Sequence, residues 1–350
     1  MTHLNQETAA LLEDIELRIR PGAEEDFDAQ WRRFLRGESE TDIFRPVRSE
    51  LSPPGTPLRP ININDALADL ETMAAYEFQG VSSALNSGRL NLAVRTNYGS
   101  AILASLFGAE IFEMPRQTNT LPTTRPFNST DKIRSLVEEG IPDLGAGFGS
   151  RVFACGELFR EIQETYPNIG RFVTVYHPDL QGPLDICELL WGGEMFYAMY
   201  DEPELVHAMM DLVTQTYIRF MEKWFALFPC GEEMNVHWAH LRHKGRLMLR
   251  CDSAMNLSPE LYAEFAVPYD RKLLDHFGGG AMYFCGRGDH YISLLCSQPM
   301  LRGVNMSQPH LNDMERIYQN TVDKGIPLLG FPADRAYADA GRGFHGLIHV

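Results

Sequence analysis

From about residue 170 onward the chain is built from short apolar runs that end in polar residues, each followed by a stretch with helical apolar spacing. The runs are RFVTVYHPD, RLMLRCDSA, AMYFCGRG, LRGVNMSQP and IPLLGF. Between them lie PLDICELLWGGEMFYAM with PELVHAMMDLVTQTYIRFMEKWFALF, then SPELYAEFAVPYDRKLLDHF, DHYISLLCS and LNDMERIYQNTVDKG. Strand and helix in alternation predict a parallel sheet, because a crossover between parallel strands needs a long return path, usually a helix. Local chemistry agrees: Pro203 and Pro259 stand where helices should begin, and a first-turn residue has no use for the N–H that proline lacks.

Upstream, residues 6–36 read as helical and acidic, interrupted once at Pro21-Gly22, and a Pro-rich connector from Pro46 to Pro60 reads as a surface loop. DALADLETMAAYEFQGVSSALN has helical spacing, and GRLNLAVRTNYGS is a short β-type run. The chain therefore divides into an N-terminal helical extension with its connector, 1–60, and an α/β domain, 61–350. Two closures suit the alternation, an open doubly wound sheet or a (β/α)8 TIM-type barrel. No strand is followed by GxGxxG, and polar residues follow several strands instead of one switch point. That distribution favours the barrel, whose active site is assembled from the C-terminal ends of many strands.

Composition narrows the partners. The net charge of −16 comes from 47 acidic against 31 basic residues, with the basic ones scattered, so nucleic acid is not expected. The N-terminus has no basic segment followed by an apolar core, and no run approaches eighteen apolar residues, so we expect a soluble cytoplasmic protein without a membrane partner. Six cysteines are spread without a CxxC pair and are expected to be reduced and mostly buried.

On a barrel the residues after each run converge on one mouth. Collected, they are Asn97 and Tyr98; His177 and Asp179; Asp252 and Ser253; Cys285, Arg287, Asp289 and His290; and Asn305, Ser307 and Gln308. A reactive cysteine needs an electropositive neighbourhood, which Arg287 and His290 could supply to Cys285. Asp289 suits a helix N-cap, His177 suits proton transfer or hydrogen bonding, and Asp252 would be costly to bury unpaired. HWAHLRH, 237–243, places three histidines at spacings of three, roughly one face of a helix, with no acidic residue following as in HExxH.

The stretches VYHPDLQGPLDICELLWGGEMFYAMYDEPELVHAMMDLVTQTYI and LSPELYAEFAVPYDRKLLDHFGGGAMYFCGRGDHYI resemble the uroporphyrinogen decarboxylase superfamily, and NYGSAILASLFGAE is similar to the earlier part of its more distant members. The resemblance runs from about residue 65 and is strongest over 170–331. It implies a (β/α)8 barrel carrying one of two chemistries: decarboxylation, or methyl transfer between a corrinoid and a thiol or another acceptor. The decarboxylase branch's Arg-Gln-Ala-Gly-Arg motif is absent; FRPVRSEL has arginines without the pattern, which weakens that branch.

The thiol-methylating branch binds zinc through His-x-Cys and a distant cysteine. Here Tyr283 stands at the histidine position, Cys285 remains, and no cysteine follows Cys296; His290 or His177 would have to substitute. The reading is an enzyme on the methyltransferase-like side, with a small-molecule substrate and a corrinoid, free or on a partner protein, and a homodimer left open. Cys285, His290 and Asp252 would line the reacting centre, with Cys285 and His290 the zinc candidates. His177 would bind or protonate, and Asn97, Tyr98, Asn305 and Gln308 would orient substrate. The alternatives are decarboxylation of uroporphyrinogen or a smaller carboxylate, using Arg287, Arg250, Arg95 and Asp252, and a non-catalytic barrel that binds a corrinoid or a partner.

Overall fold

Each of the apolar runs becomes a short strand or a single bridge residue, and helices that begin at Pro183, Pro203 and Pro259 follow them. The computed structural model describes residues 4–350. Its strands, in chain order, are β1 (Ile43–Phe44), β2 (Ala93–Val94), β3 (Glu110–Phe112), β4 (Thr123–Arg125), β5 (Thr174–Val175), β6 (Asn235–His237), β7 (Leu241–His243), β8 (Leu247–Arg250), β9 (Gly280–Phe284), β10 (Leu301–Met306) and β11 (Ile348–His349). β8, β9 and β10 pair in parallel. The row continues through single bridges from Val304 to Leu328 and from Leu328 to Ile348, and ends in the parallel pair β11–β1. IPLLGF thus contributes one bridging residue instead of a full strand.

β2 and β5 form a separate parallel pair. The Met248 N–H donates to His177 Nε2 at 3.0 Å and the Gly182 N–H to the Arg250 carbonyl at 2.9 Å, so the two groups meet without a continuous ladder between them. The parallel strand–helix alternation is present; a closed ring of ladders is not formed among the described residues. Gly182 is required at this junction, since a Cβ there would fall 2.2 Å from the Arg250 carbonyl oxygen.

Alternate strand residues face opposite sides, and the two sides differ in chemistry. Leu247, Leu249, Met282, Phe284, Val304 and Met306 are buried in the main core under the helices. On the other side, Met248 and Ala281 pack with Leu329 against Trp31, Phe34 and Phe44. Phe34 stacks on Phe44 at 4.5 Å between ring centres, and Trp31 meets Phe44 edge-on at 5.2 Å. Further along the same face the register sets Arg250 beside Tyr283 and Tyr283 beside Asn305, and beyond them stand Asp252 and Cys285. The face therefore runs from aromatic plug to polar row in the strand direction.

The N-terminal helices, Gln6–Arg18 and Pro21–Leu35, break at Pro21 as expected, and 45–62 carries neither helix nor strand. The extension supplies both the aromatic plug and β1. HWAHLRH is not helical: β6 and β7 form an antiparallel hairpin whose turn holds Trp238 and Ala239 at φ 48° and 51°. β3 and β4 form a second antiparallel pair that the alternation did not announce. Among the described residues no helix is long and apolar enough to cross a membrane.

Candidate functional site

The polar row centres on Asp179, which follows β5. One of its oxygens, Oδ2, accepts from Arg95 at 2.8 Å, from Arg250 at 3.1 Å and from the Trp238 indole N–H at 3.0 Å. The His237 ring stands 3.9 Å from the other. Burial alone would raise the Asp179 carboxyl, but His237, Arg250 and Arg95 outweigh it and hold it well below the usual carboxylate range. Arg250 also pairs with Asp252 at 3.0 Å and lies over the rings of Trp238 and Tyr283, at 5.6 and 5.3 Å. On the β2 side, Glu77 accepts from the Arg95 N–H at 3.0 Å and the Asn97 amide at 2.9 Å. Glu77, Arg95 and Asn97 border a cavity of about 610 Å3.

A second group gathers around Asp185, in the first turn of the helix Pro183–Trp191. Its oxygens accept the backbone N–H groups of Asp252, at 3.0 Å, and Ser253, at 2.8 Å. Burial, and then the Asp252 carboxylate, push Asp185 up to about 7. The Ser253 hydroxyl donates to Glu188. These residues line a cavity of about 490 Å3, with Gln181 on one wall and Thr123 and Thr124 from β4 on another. Gly192, at φ 78°, belongs to this wall; a Cβ there would fall 2.3 Å from Asn128 Oδ1.

Cys285 lies half-buried beside Asp252. Burial and that carboxylate push its thiol up to about 12, with Arg250 only partly opposing them. The electropositive surroundings expected from Arg287 and His290 are not there. Arg287 points to solvent and pairs with Asp289 at 2.8 Å. His290 donates through Nε2 to the Leu257 carbonyl at 3.0 Å, with Nδ1 3.8 Å from Asp289. Asp289 does not cap a helix; it accepts the Asp313 N–H at 3.0 Å and ties two loops together.

His177 is committed at both ring nitrogens. Nε2 must accept the Met248 N–H, so Nδ1 carries the proton and donates to the Pro178 carbonyl at 2.7 Å. Burial holds the ring below its ordinary value, so the residue joins strands and has no nitrogen free for a substrate. Tyr98 is fully buried against Phe148, 5.2 Å between rings, in the main core and away from the polar row. Asn305 donates to the Leu329 and Gly330 carbonyls, and Gln308 accepts the Gly286 N–H; each fixes a strand end or loop.

The zinc site that the sequence resemblance implies is not assembled from these residues. Among the described residues no three of His, Cys, Asp and Glu are grouped to hold a metal. His177, His237 and His243 come together, with ring centres 4.8 and 6.5 Å apart along that series, but burial depresses all three. His240 lies apart on the hairpin turn, bonded to the Trp238 carbonyl at 2.8 Å.

The pattern of strand ends pointed to Asp252, Cys285 and Asn97, and these do lie on or beside the two cavities. It missed Asp185, Glu188 and Gln181, which sit in or just before an amphipathic helix. The only signal was an Asp in the first helical turn immediately after VYHPDLQG.

In structure the chain is similar to a methyltransferase from Methanosarcina mazei, with a TM-score of 0.61 and 14% sequence identity over 93% of this chain and 92% of that one. That likeness establishes a shared fold. No family model matches the chain, and no curated protein matches it in sequence.

Proposed function

We propose that the protein is a methyl-transfer enzyme of the uroporphyrinogen-decarboxylase-like barrel class, with a small substrate in the cavity bounded by Asp185, Glu188 and Asp252. The observation that carries the reading is the charge around that cavity. Three carboxylates line it, no lysine, arginine or histidine among the described residues does, and the nearby Arg95 and Arg250 are already paired with Asp179. A carboxylate-rich porphyrinogen would meet repulsion here, because its binding requires cations that are not neutralised from within. The fold shared with a methyltransferase adds support.

In the proposed reaction an acceptor bearing a proton forms its bond to the methyl carbon while the donor atom leaves with the bonding electron pair. The acceptor's proton passes to the Asp185 carboxylate, whose raised value of about 7 suits a general base near neutral pH. Cys285, disfavoured as a thiolate, serves to position Asp252 and does not carry the methyl group. A methylated corrinoid, free or on a partner protein, is the donor class the reading implies. Incubation with methylcobalamin and a panel of amine, thiol and hydroxyl acceptors should give methylated product and demethylated corrinoid. No transfer to any acceptor, or decarboxylation of a porphyrinogen by the same preparation, would retire the proposal.

A further inference from the structure

The cavity of about 490 Å3 has more to receive hydrogen bonds than to give them. Asp185, Glu188 and Asp252 contribute carboxylates, and the nearest cation, Arg250, is committed through Nη1 to Asp179 and through Nη2 to Asp252. Two of the three wall hydroxyls direct their hydrogens into the protein, Ser253 to Glu188 and Thr124 to the Leu189 carbonyl at 3.2 Å, and so keep lone pairs for a guest. Gln181 adds an independent sign of a missing partner. The residue is only 7% exposed, and its buried Oε1 has no hydrogen-bond donor among the described residues. A buried acceptor without a donor is costly, and a ligand N–H would recover that cost.

The lining also selects among cations. Quaternary ammonium groups have no N–H to give and are held by aromatic faces. No phenylalanine, tyrosine or tryptophan among the described residues lines this cavity. We infer that the cavity binds a small protonated primary or secondary amine, its N–H bonds received by the Asp185, Glu188 and Asp252 carboxylates and by Gln181 Oε1. The amine's part in catalysis, as methyl acceptor or as the product of methyl removal, rests on the methyl-transfer reading; its binding does not.

Calorimetric titration of the full chain with methylammonium, dimethylammonium, tetramethylammonium and acetate tests this directly. One of the first two should saturate at one per chain and bind at least tenfold more tightly than tetramethylammonium, with no saturable binding of acetate. Asp185→Asn and Glu188→Gln should each weaken the amine at least tenfold while melting cooperatively. If Asp185→Asn does not fold, Glu188→Gln carries the test. Equal affinity for tetramethylammonium, saturable acetate binding, absence of saturable binding by both smaller ammonium ions, or an unchanged affinity in Glu188→Gln would overturn the inference. The two readings separate cleanly. Amine binding without methyl transfer removes the reaction and leaves the site standing, whereas transfer to a neutral acceptor without ammonium binding removes the amine and leaves the reaction.

Discussion

Asp179 and Asp185 stand six positions apart, follow the same strand, and are equally hidden from solvent, yet their environments are opposite. Asp179 receives two arginines and an indole N–H on a single oxygen. Asp185 receives two backbone N–H groups and faces a second carboxylate. Burial penalises both charges; the supply of cations decides the outcome. Around Asp179 the charges cancel internally and form a fixed partition between the two cavities. Around Asp185 the negative charge is in excess, and the shortfall is left for something that enters.

The same chemical change should therefore have opposite consequences at the two positions. Asp179→Asn strands Arg95 and Arg250 without their counter-ion and should cost about 3–5 kcal/mol in urea unfolding; a loss below about 1 kcal/mol would show that the partition is not held by charge. Asp185→Asn should move the other way at high pH. Because the folded Asp185 is raised to about 7, its protonated form stabilises the fold fully below about pH 4, and that contribution is lost as pH rises towards 7. The variant should gain on the wild type by about 1–3 kcal/mol between pH 4 and pH 8 in denaturant series. Asp179 has the reverse sign: its contribution is present above about pH 4 and is lost as pH falls through its lower folded value.

Two smaller effects sharpen the boundary between the regions. His177→Ala leaves the buried Met248 N–H without an acceptor and should cost about 1–2 kcal/mol of stability, with a methyl-transfer pH profile unchanged in shape. A profile that lost an arm would restore a proton-transfer role to this ring. Finally, alkylation of Cys285 at pH 8 should be slow and should quicken several-fold in Asp252→Asn, as the adjacent negative charge is removed. Rapid labelling of the wild type would place the thiol in a different field.

Much of the architecture could be read from local pattern. Apolar runs, helix-opening prolines and polar strand ends are each decided within a few residues, and they announced parallel alternation and a row of polar groups. What escaped depends on distance or on backbone choice. Asp179 finds Arg95 and Arg250 84 and 71 positions away, and no local pattern records that pairing. Three histidines in seven residues suit a helical face equally well, and only the left-handed Trp238–Ala239 turn makes them a hairpin. Tyr98 follows a strand like its neighbour Asn97, but alternation sends it into the core. Asp185 looked like an ordinary first-turn acidic residue until Gly182 brought its helix against the end of β8.

The pairing of β1 with β11 sets an order on biosynthesis. Phe344 donates its N–H to Asp42, 302 positions earlier, and Phe44 meets His349 across the aromatic plug. Emerging first from the ribosome, β1 must wait with an unsatisfied edge while nearly all the intervening chain is made, a long-range closure that pairing can reward only at the end. The sheet can close only once β11 has itself been made and has cleared the exit tunnel. A nascent chain stalled before residue 344 should remain open to proteolysis around residues 42–44.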